Sequence, residues 1–147
     1  MLPFRKILCS TDYSEPSYEA LARAWELAGH FGAELCVLHV VPVLGNELGF
    51  DTEHIPDYER ERLAAARQQL CELIAERLPT AVRAQSLVRL GNPAEQIARV
   101  AGEEKVDLIV IATHGATGWR HLVFGSVTER VLRLAQCPLF VVHAPRK

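Results

Sequence analysis

An open parallel α/β sheet is the fold class that this sequence predicts, and three observations predict it. Short apolar runs alternate with longer segments of helical periodicity along the 147 residues. The runs are nearly continuous in hydrophobicity, as in parallel strands covered on both faces. Capping and turn residues punctuate the boundaries. The resulting order, β-α-β-α-β-α-β-α-β, implies right-handed crossovers and five parallel strands with helices on both faces. A chain of this length accommodates one domain.

Each element has its own warrant. Phe4 to Ser10 (FRKILCS) is short and apolar, ends before Thr11-Asp12, and reads as the first strand. Ser14 can cap the helix that follows, and Pro16 suits its first turn, where a missing N–H has no helical partner. Tyr18, Leu21, Ala22, Trp25 and Ala28 recur at helical steps and predict its buried stripe. Gly32 ends that helix, because glycine adopts the left-handed conformation without a Cβ penalty. Glu34 to Val41 (ELCVLHVV) is the second strand. Residues 42–56 carry Gly and Pro breakers with little periodicity, which suits a lid or binding loop.

Asp57 to Leu78 predicts a long helix with Leu63, Ala66, Leu70, Leu73 and Ile74 on one face. Val82 to Leu90 alternates more, as an edge strand does. Asn92, Pro93 and Glu95 form the pattern of an N-cap, first position and capping box. Asp107 to Thr113 (DLIVIAT) is the most hydrophobic strand, a helix runs from Gly125-Ser126 through Ala135, and Leu139 to His143 closes the order.

Composition removes several function classes. Apolar residues make up 49% and charged residues 23%, against disorder. The net charge is −2 with a pI near 6.3, without the basic excess of a nucleic-acid binder. The densest apolar stretch, Leu108 to Ala112, is far shorter than the ~20 residues of a spanning helix. The amino terminus has no signal-peptide core, so a cytoplasmic location is expected. Cys9, Cys36, Cys71 and Cys137 form no C-x-x-C pair, and reduced structural thiols are expected, with no metal site.

In open α/β sheets ligands sit beyond the carboxyl ends of the strands, where the strand order reverses. Ser10, Thr11 and Asp12 occupy that end of the first strand, and Thr113, His114 and Gly115 that of the fourth; Asp107 lies at the wrong end. A carboxylate at Asp12 can accept from a ribose hydroxyl or an adenine amine, or simply turn the chain before the first helix. Between Ala112 and Ser126 the chain carries Gly115, Gly118 and Gly125 and then a hydroxyl residue at a helix start, an arrangement that attracts phosphate. The plainer reading of Ser126 and Glu129 is a capping box. Neither G-x-x-x-x-G-K-[ST] nor G-x-G-x-x-G occurs, no G-x-S-x-G elbow supports a hydrolytic triad, and His39 reads as a satisfied core histidine.

With these residues in view, the chain resembles the universal stress protein family from Ile7 to Val142. Ile-Leu-Cys-Ser-Thr-Asp-Tyr-Ser and Gly-Ala-Glu-Leu-Cys-Val-Leu-His-Val-Val are similar to that family's first two strands. The family's nucleotide signature, G-x2-G-x9-G-[S/T], reads here Ala112-x2-Gly115-x9-Gly125-Ser126. Ala112 replaces the first signature glycine, and Ala116 stands where many members carry a basic residue.

The resemblance implies one universal stress protein domain over residues 1–147 and strand order 3-2-1-4-5. It implies an adenine-nucleotide site in which Ser10, Thr11, Asp12 and Val40 meet the adenosine part. Ala112, His114, Gly115, Gly125, Ser126 and Val127 would line the ribose and phosphates. It further implies a homodimer through the last strand, Leu139–His143. The expected function is a stress-response protein with ATP, with or without magnesium, as a regulatory ligand. A dimeric scaffold that binds no nucleotide, kept open by Ala112 and Ala116, and a slow ATPase are the alternatives.

Overall fold

Strand β1 (Lys6–Ser10) leads to helix α1 (Glu15–Phe31), β2 (Glu34–Val41), α2 (Asp57–Arg77), β3 (Ala84–Leu90), α3 (Pro93–Glu103), β4 (Leu108–Ala112), α4 (Ser126–Leu134) and β5 (Leu139–Val142). The structure is a computed structural model and describes residues 2–43, 57–79, 82–114 and 124–143. Most of the predicted 42–56 loop therefore lies outside the described residues. The strands form one parallel sheet in the order β3-β2-β1-β4-β5. β1 is central, with Cys9 opposite Val37 on one side and Val110 on the other.

Strand side chains alternate between two apolar layers. Ile7, Cys9, Leu35, Val37, Leu108 and Val110 pack with α1 and α2. Leu8, Cys36, Leu38, Ile109 and Ile111 pack with α3 and α4. Covering on both faces is why β1, β2 and β4 read as continuous apolar runs.

Ser14 caps α1 as expected, its side chain accepting from Ser17 N–H at 3.4 Å. Gly32 takes φ 66° and its N–H reaches Ala28 O. The buried stripe of α1 differs from the periodic reading. Ser17, Ala20, Leu21, Ala24 and Ala28 face the sheet, Tyr18 and Trp25 are half-buried, and Ala22 is exposed. An alanine carries too little apolar area for hydropathy to assign it a face, whereas Ala20 and Ala24 suit a close helix-to-sheet approach.

On α2, Leu63, Ala66, Leu70 and Leu73 are buried as expected, and the same stripe begins with the fully buried Glu59. Arg62 Nη1 donates to both Glu59 oxygens at 2.9 Å, and its Nη2 donates to Pro42 O at 3.1 Å, tying the start of α2 to the end of β2. Pairing of this kind is what makes a buried carboxylate tolerable. Asp107 plays a structural part at the amino ends of the strands, where its Oδ2 accepts the N–H groups of Arg5 at 2.7 Å and Lys6 at 2.9 Å.

The four thiols are free and differ in exposure, with Cys137 half-buried. Cys9 and Cys36 are buried, and burial pushes their thiols up to about 12 and about 11. Cys71 is exposed on α2, which departs from the expectation of four structural thiols.

Replacing Ile109, which is fully buried, by alanine is expected to cost about 2–5 kcal/mol in urea denaturation. Leu2→Ala, at an exposed site, should stay within about 0.5 kcal/mol. A disulfide reagent at pH 8 should modify Cys71 well before Cys9 or Cys36, as read by mass spectrometry of timed samples. Because an unfolded thiol ionises near 9.0 and that of Cys9 only at about 12, stability should fall as pH rises through that interval. Denaturation midpoints at pH 8 and pH 10 check the sign.

Candidate functional site

The strand order reverses at β1, since the chain leaves it toward β2 through α1 and returns to its other side at β4 through α3. A crevice opens there, beyond the carboxyl ends of β1 and β4. Three helices start around it: α1 after Ser14, α3 after Asn92 and α4 after Gly125. The cavity they enclose measures about 250 Å³. Its lining includes Ser10, Thr11, Asp12, Val40, Ala112, His114, Gly125, Ser126 and Val127. Those are all of the residues predicted for the site except Gly115, which lies outside the described residues, as do Ala116 and Gly118.

The β1 side of the crevice is built from side-chain hydrogen bonds. Thr11 N–H continues the ladder to Leu38 O at 2.8 Å, and Thr11 Oγ1 lies 2.9 Å from Ser17 Oγ. Asp12 is exposed, and its Oδ1 accepts Ser14 N–H at 3.0 Å and also meets Ser14 Oγ. It thus turns the chain, as the plainer reading of this residue expects, and it also lines the cavity. Tyr13 completes the turn at φ 63°, a left-handed conformation rare for a side-chain-bearing residue. Its ring packs against His39 with centroids 4.6 Å apart, and burial pushes its phenol up to about 12. His39 Nδ1 donates to Thr11 O at 2.8 Å, so this histidine is a satisfied structural group.

The β4 side is a backbone junction. Gly125 N–H donates to Thr113 O at 2.6 Å, and a Cβ on Gly125 would meet that oxygen at 3.2 Å. A side chain here would crowd that oxygen, which would have to give by a few tenths of an ångström. With φ at −68° its backbone suits any residue. Gly125→Val would therefore disturb the strand-to-helix junction as well as any ligand contact. Thr128 Oγ1 donates to Ala112 O at 2.7 Å in a buried bond.

The capping boxes expected here do not form. Gly125 is the N-cap of α4 with no side-chain cap bond, which leaves Ser126 as the first helical residue, facing the cavity. At α3, Asn92 Oδ1 accepts Glu95 N–H at 3.2 Å, but the Glu95 carboxylate pairs with Arg130 on α4.

Ser17, Thr128, Pro93, Ile97 and Ile111 also line the cavity and were not predicted. Ser17 and Thr128 are each the third residue of a helix that follows a crevice strand. That shared position is the signal that could have found them. Among the described residues no group of His, Cys, Asp and Glu could hold a metal ion. A larger depression of about 350 Å³, between α3 and the start of β5, includes Arg99, Lys105 and Cys137. It lies away from the carboxyl ends of the strands, and none of the predicted site residues reaches it.

Thr128→Val removes the donor to Ala112 O at nearly constant shape. Denaturation should report a loss of about 1–3 kcal/mol from the unpaired buried carbonyl, with Thr128→Ser losing less.

Comparison with known proteins gives a consistent result. The universal stress protein family profile matches residues 3–143. Universal stress protein MJ0531 of Methanocaldococcus jannaschii is 34% identical over 98% of this chain and 85% of its own length. Universal stress protein YxiE of Bacillus subtilis is 32% identical, with 95% and 99% covered. Among solved structures, that of MJ0577 superposes with a TM-score of 0.81 at 27% identity, covering 97% of this chain and 98% of that one. The crevice, its strand order and these matches agree: the chain belongs to the universal stress protein family.

Proposed function

We propose that this protein binds an adenine nucleotide, ATP with or without magnesium, as a regulatory ligand in a stress response. The observation that carries the reading is the polarity of the crevice. On the β1 side stand the acceptors of Asp12, Thr11 and Ser17, and on the β4 side the first N–H groups of α4 and the hydroxyl of Ser126. Val40, Ile97 and Ile111 supply apolar walls between them. A nucleotide matches this order, with its base and sugar toward β1 and β2 and its phosphates at the helix start, where free N–H groups and the dipole favour anions. Support also comes from two proteins of the same fold. One is a universal stress protein in complex with cAMP (TM-score 0.68, 20% identity), the other the Archaeoglobus fulgidus protein in complex with dAMP (TM-score 0.63, 19% identity).

In this reading Ala112 contributes backbone and a methyl where the family signature has glycine, and Thr113 O and Ala112 O are already engaged by the fold. The nucleotide is a signal more than a substrate. Among the described residues the crevice holds no lysine and no pair of acids to drive phosphoryl transfer, so hydrolysis would be slow at most. Partners in the cytoplasm would read the bound state through a homodimer formed at β5. The exposed Phe140, Leu132 and Leu134 on β5 and α4 support that interface, and β5 is an edge strand of the kind that pairs. The same apolar surface favours the scaffold reading should nucleotide fail to bind.

Thermal unfolding with millimolar ATP and magnesium should raise Tm by roughly 5–10 °C at about 100 times the dissociation constant, with GTP as the control. Ser126→Asp sharpens the test. An acid in the first turn of α4 suits the helix, so the fold should keep its stability, yet it repels phosphate. The variant should lose the ATP shift and keep its own Tm. A shift of equal size in wild type and Ser126→Asp would remove the phosphates from the start of α4.

A further inference from the structure

We propose that the depression where the last turns of α3 and α4 meet is a second ligand site, one that takes a small organic anion: a carboxylate carried on a short apolar body. Lys105 and Val106 of its lining lead into β4, and Gln136 and Cys137 lead into β5, so it lies at the amino ends of the strands. It is separate from the crevice and does not depend on whether a nucleotide binds there.

The hollow originates in the sequence of α3. Ala98, Ala101 and Gly102 follow one another at helical spacing, and a Cβ on Gly102 would meet nothing within 4 Å. With so little side chain on that face, the surface sinks between α3 and Leu134 at the end of α4, to a volume of about 350 Å³. Small-molecule sites commonly start at about 300 Å³. Val106 and Leu134 join the alanines as apolar wall.

The charge of this hollow is one-sided. Arg99 and Lys105 are the charged residues of its lining, and both are cations. The acids nearest to them in sequence are engaged elsewhere. Glu95 and Glu103, one turn to either side of Arg99, pair with Arg130 and Arg89. Glu104 accepts from Lys6 Nζ at 2.7 Å, and Asp107 Oδ2 is taken by the N–H groups of Arg5 and Lys6. Among the described residues neither Arg99 nor Lys105 has a side-chain hydrogen bond or ion pair. The carboxyl ends of α3 and α4 bring about half a negative charge each, which two whole positive charges exceed. Lys105 also stands at φ 53°, a left-handed backbone that favours glycine, so its cation is kept beside the hollow against backbone strain.

Both cations are exposed, so a bare anion gains little by leaving water for them. The apolar walls add attraction only for a ligand with an apolar body, and the guanidinium fork of Arg99 matches a carboxylate. Cys137 lines the same hollow. Burial, with a smaller push from Asp107, raises its thiol above the ordinary range, which makes it a slow reporter of occupancy rather than a nucleophile.

Timed modification by N-ethylmaleimide, an uncharged reagent, read by peptide mass spectrometry across a millimolar series of sodium hexanoate, tests the site. At twice the dissociation constant the rate at Cys137 should fall about threefold, as 1/(1 + [L]/Kd), while the exposed Cys71 reacts unchanged. Hexylammonium, similar in length but opposite in charge, and inorganic phosphate, which lacks the apolar body, should protect far less. Amide chemical-shift changes at Gly102 and Val106 in the same titrations read the site without the thiol. Arg99→Gln and Lys105→Gly should each lose most of the hexanoate effect. Both should keep their Tm, since Arg99 is exposed and glycine adopts φ 53° freely. Absence of a hexanoate effect in both readouts, an equal effect of hexylammonium, or binding undiminished in both variants would overturn the proposal. Phosphate matching hexanoate would overturn the apolar part of the ligand class.

Discussion

Hydrogen bonding of β1 to a parallel neighbour on each side is the constraint from which the rest of the molecule follows. Right-handed crossovers to opposite sides of one strand must run over opposite faces of the sheet. Accordingly α1 and α2 cover one face, and α3 and α4 the other. Loops that leave a central strand in opposite directions cannot pack over its end, so a crevice is unavoidable there. Within β1 itself, Ile7, Leu8 and Cys9 are fully buried and serve the two cores, and polar residues begin only where the strand ends at Ser10 and Thr11. The boundary between core and site thus falls within a single residue step.

At that boundary the groups that hold the fold and those that face the cavity are nearly the same. Thr11 pairs with Ser17, Asp12 turns the chain through Ser14, and Thr128 holds Ala112 O, and each of these side chains belongs to a residue of the cavity wall. Tyr13 carries the cost of this economy, with a left-handed backbone and a buried hydroxyl that finds no partner among the described residues. Burial of its ring against His39 offsets part of that strain.

The fold was legible because its signals are local and repeated. Continuous apolar strands, Ser14 and Asn92 at helix starts and Gly32 at a helix end each state their structure within a few residues. Most of the candidate site was legible too, through the rule that assigns ligands to strand ends and through the resemblance carried by Ala112, Gly125 and Ser126. Interactions that need the third dimension were not legible. Nothing local distinguishes the exposed Ala22 from the buried Ala24. Glu59 is buried only because Arg62 and the Pro42 carbonyl meet there. The Ser126 capping box failed because Gly125, held at 2.6 Å from Thr113 O, already occupies the cap position, and the Glu95 carboxylate is drawn away by Arg130, distant in sequence.

The Thr113–Gly125 bond has a consequence for how this chain can change. It fastens the two ends of the β4–α4 connection to each other, and Thr128 ties the helix to the strand a second time. The anchorage of α4 is therefore independent of what runs between the fastened ends. For a loop closed at its base, doubling the length adds only about 0.6 kcal/mol of closure entropy. Beyond His114 the connection can lengthen or shorten while Ala112, Gly125 and Thr128 keep their places in the crevice wall, so new recognition surfaces can be tried beside the site without refolding the sheet that supports it.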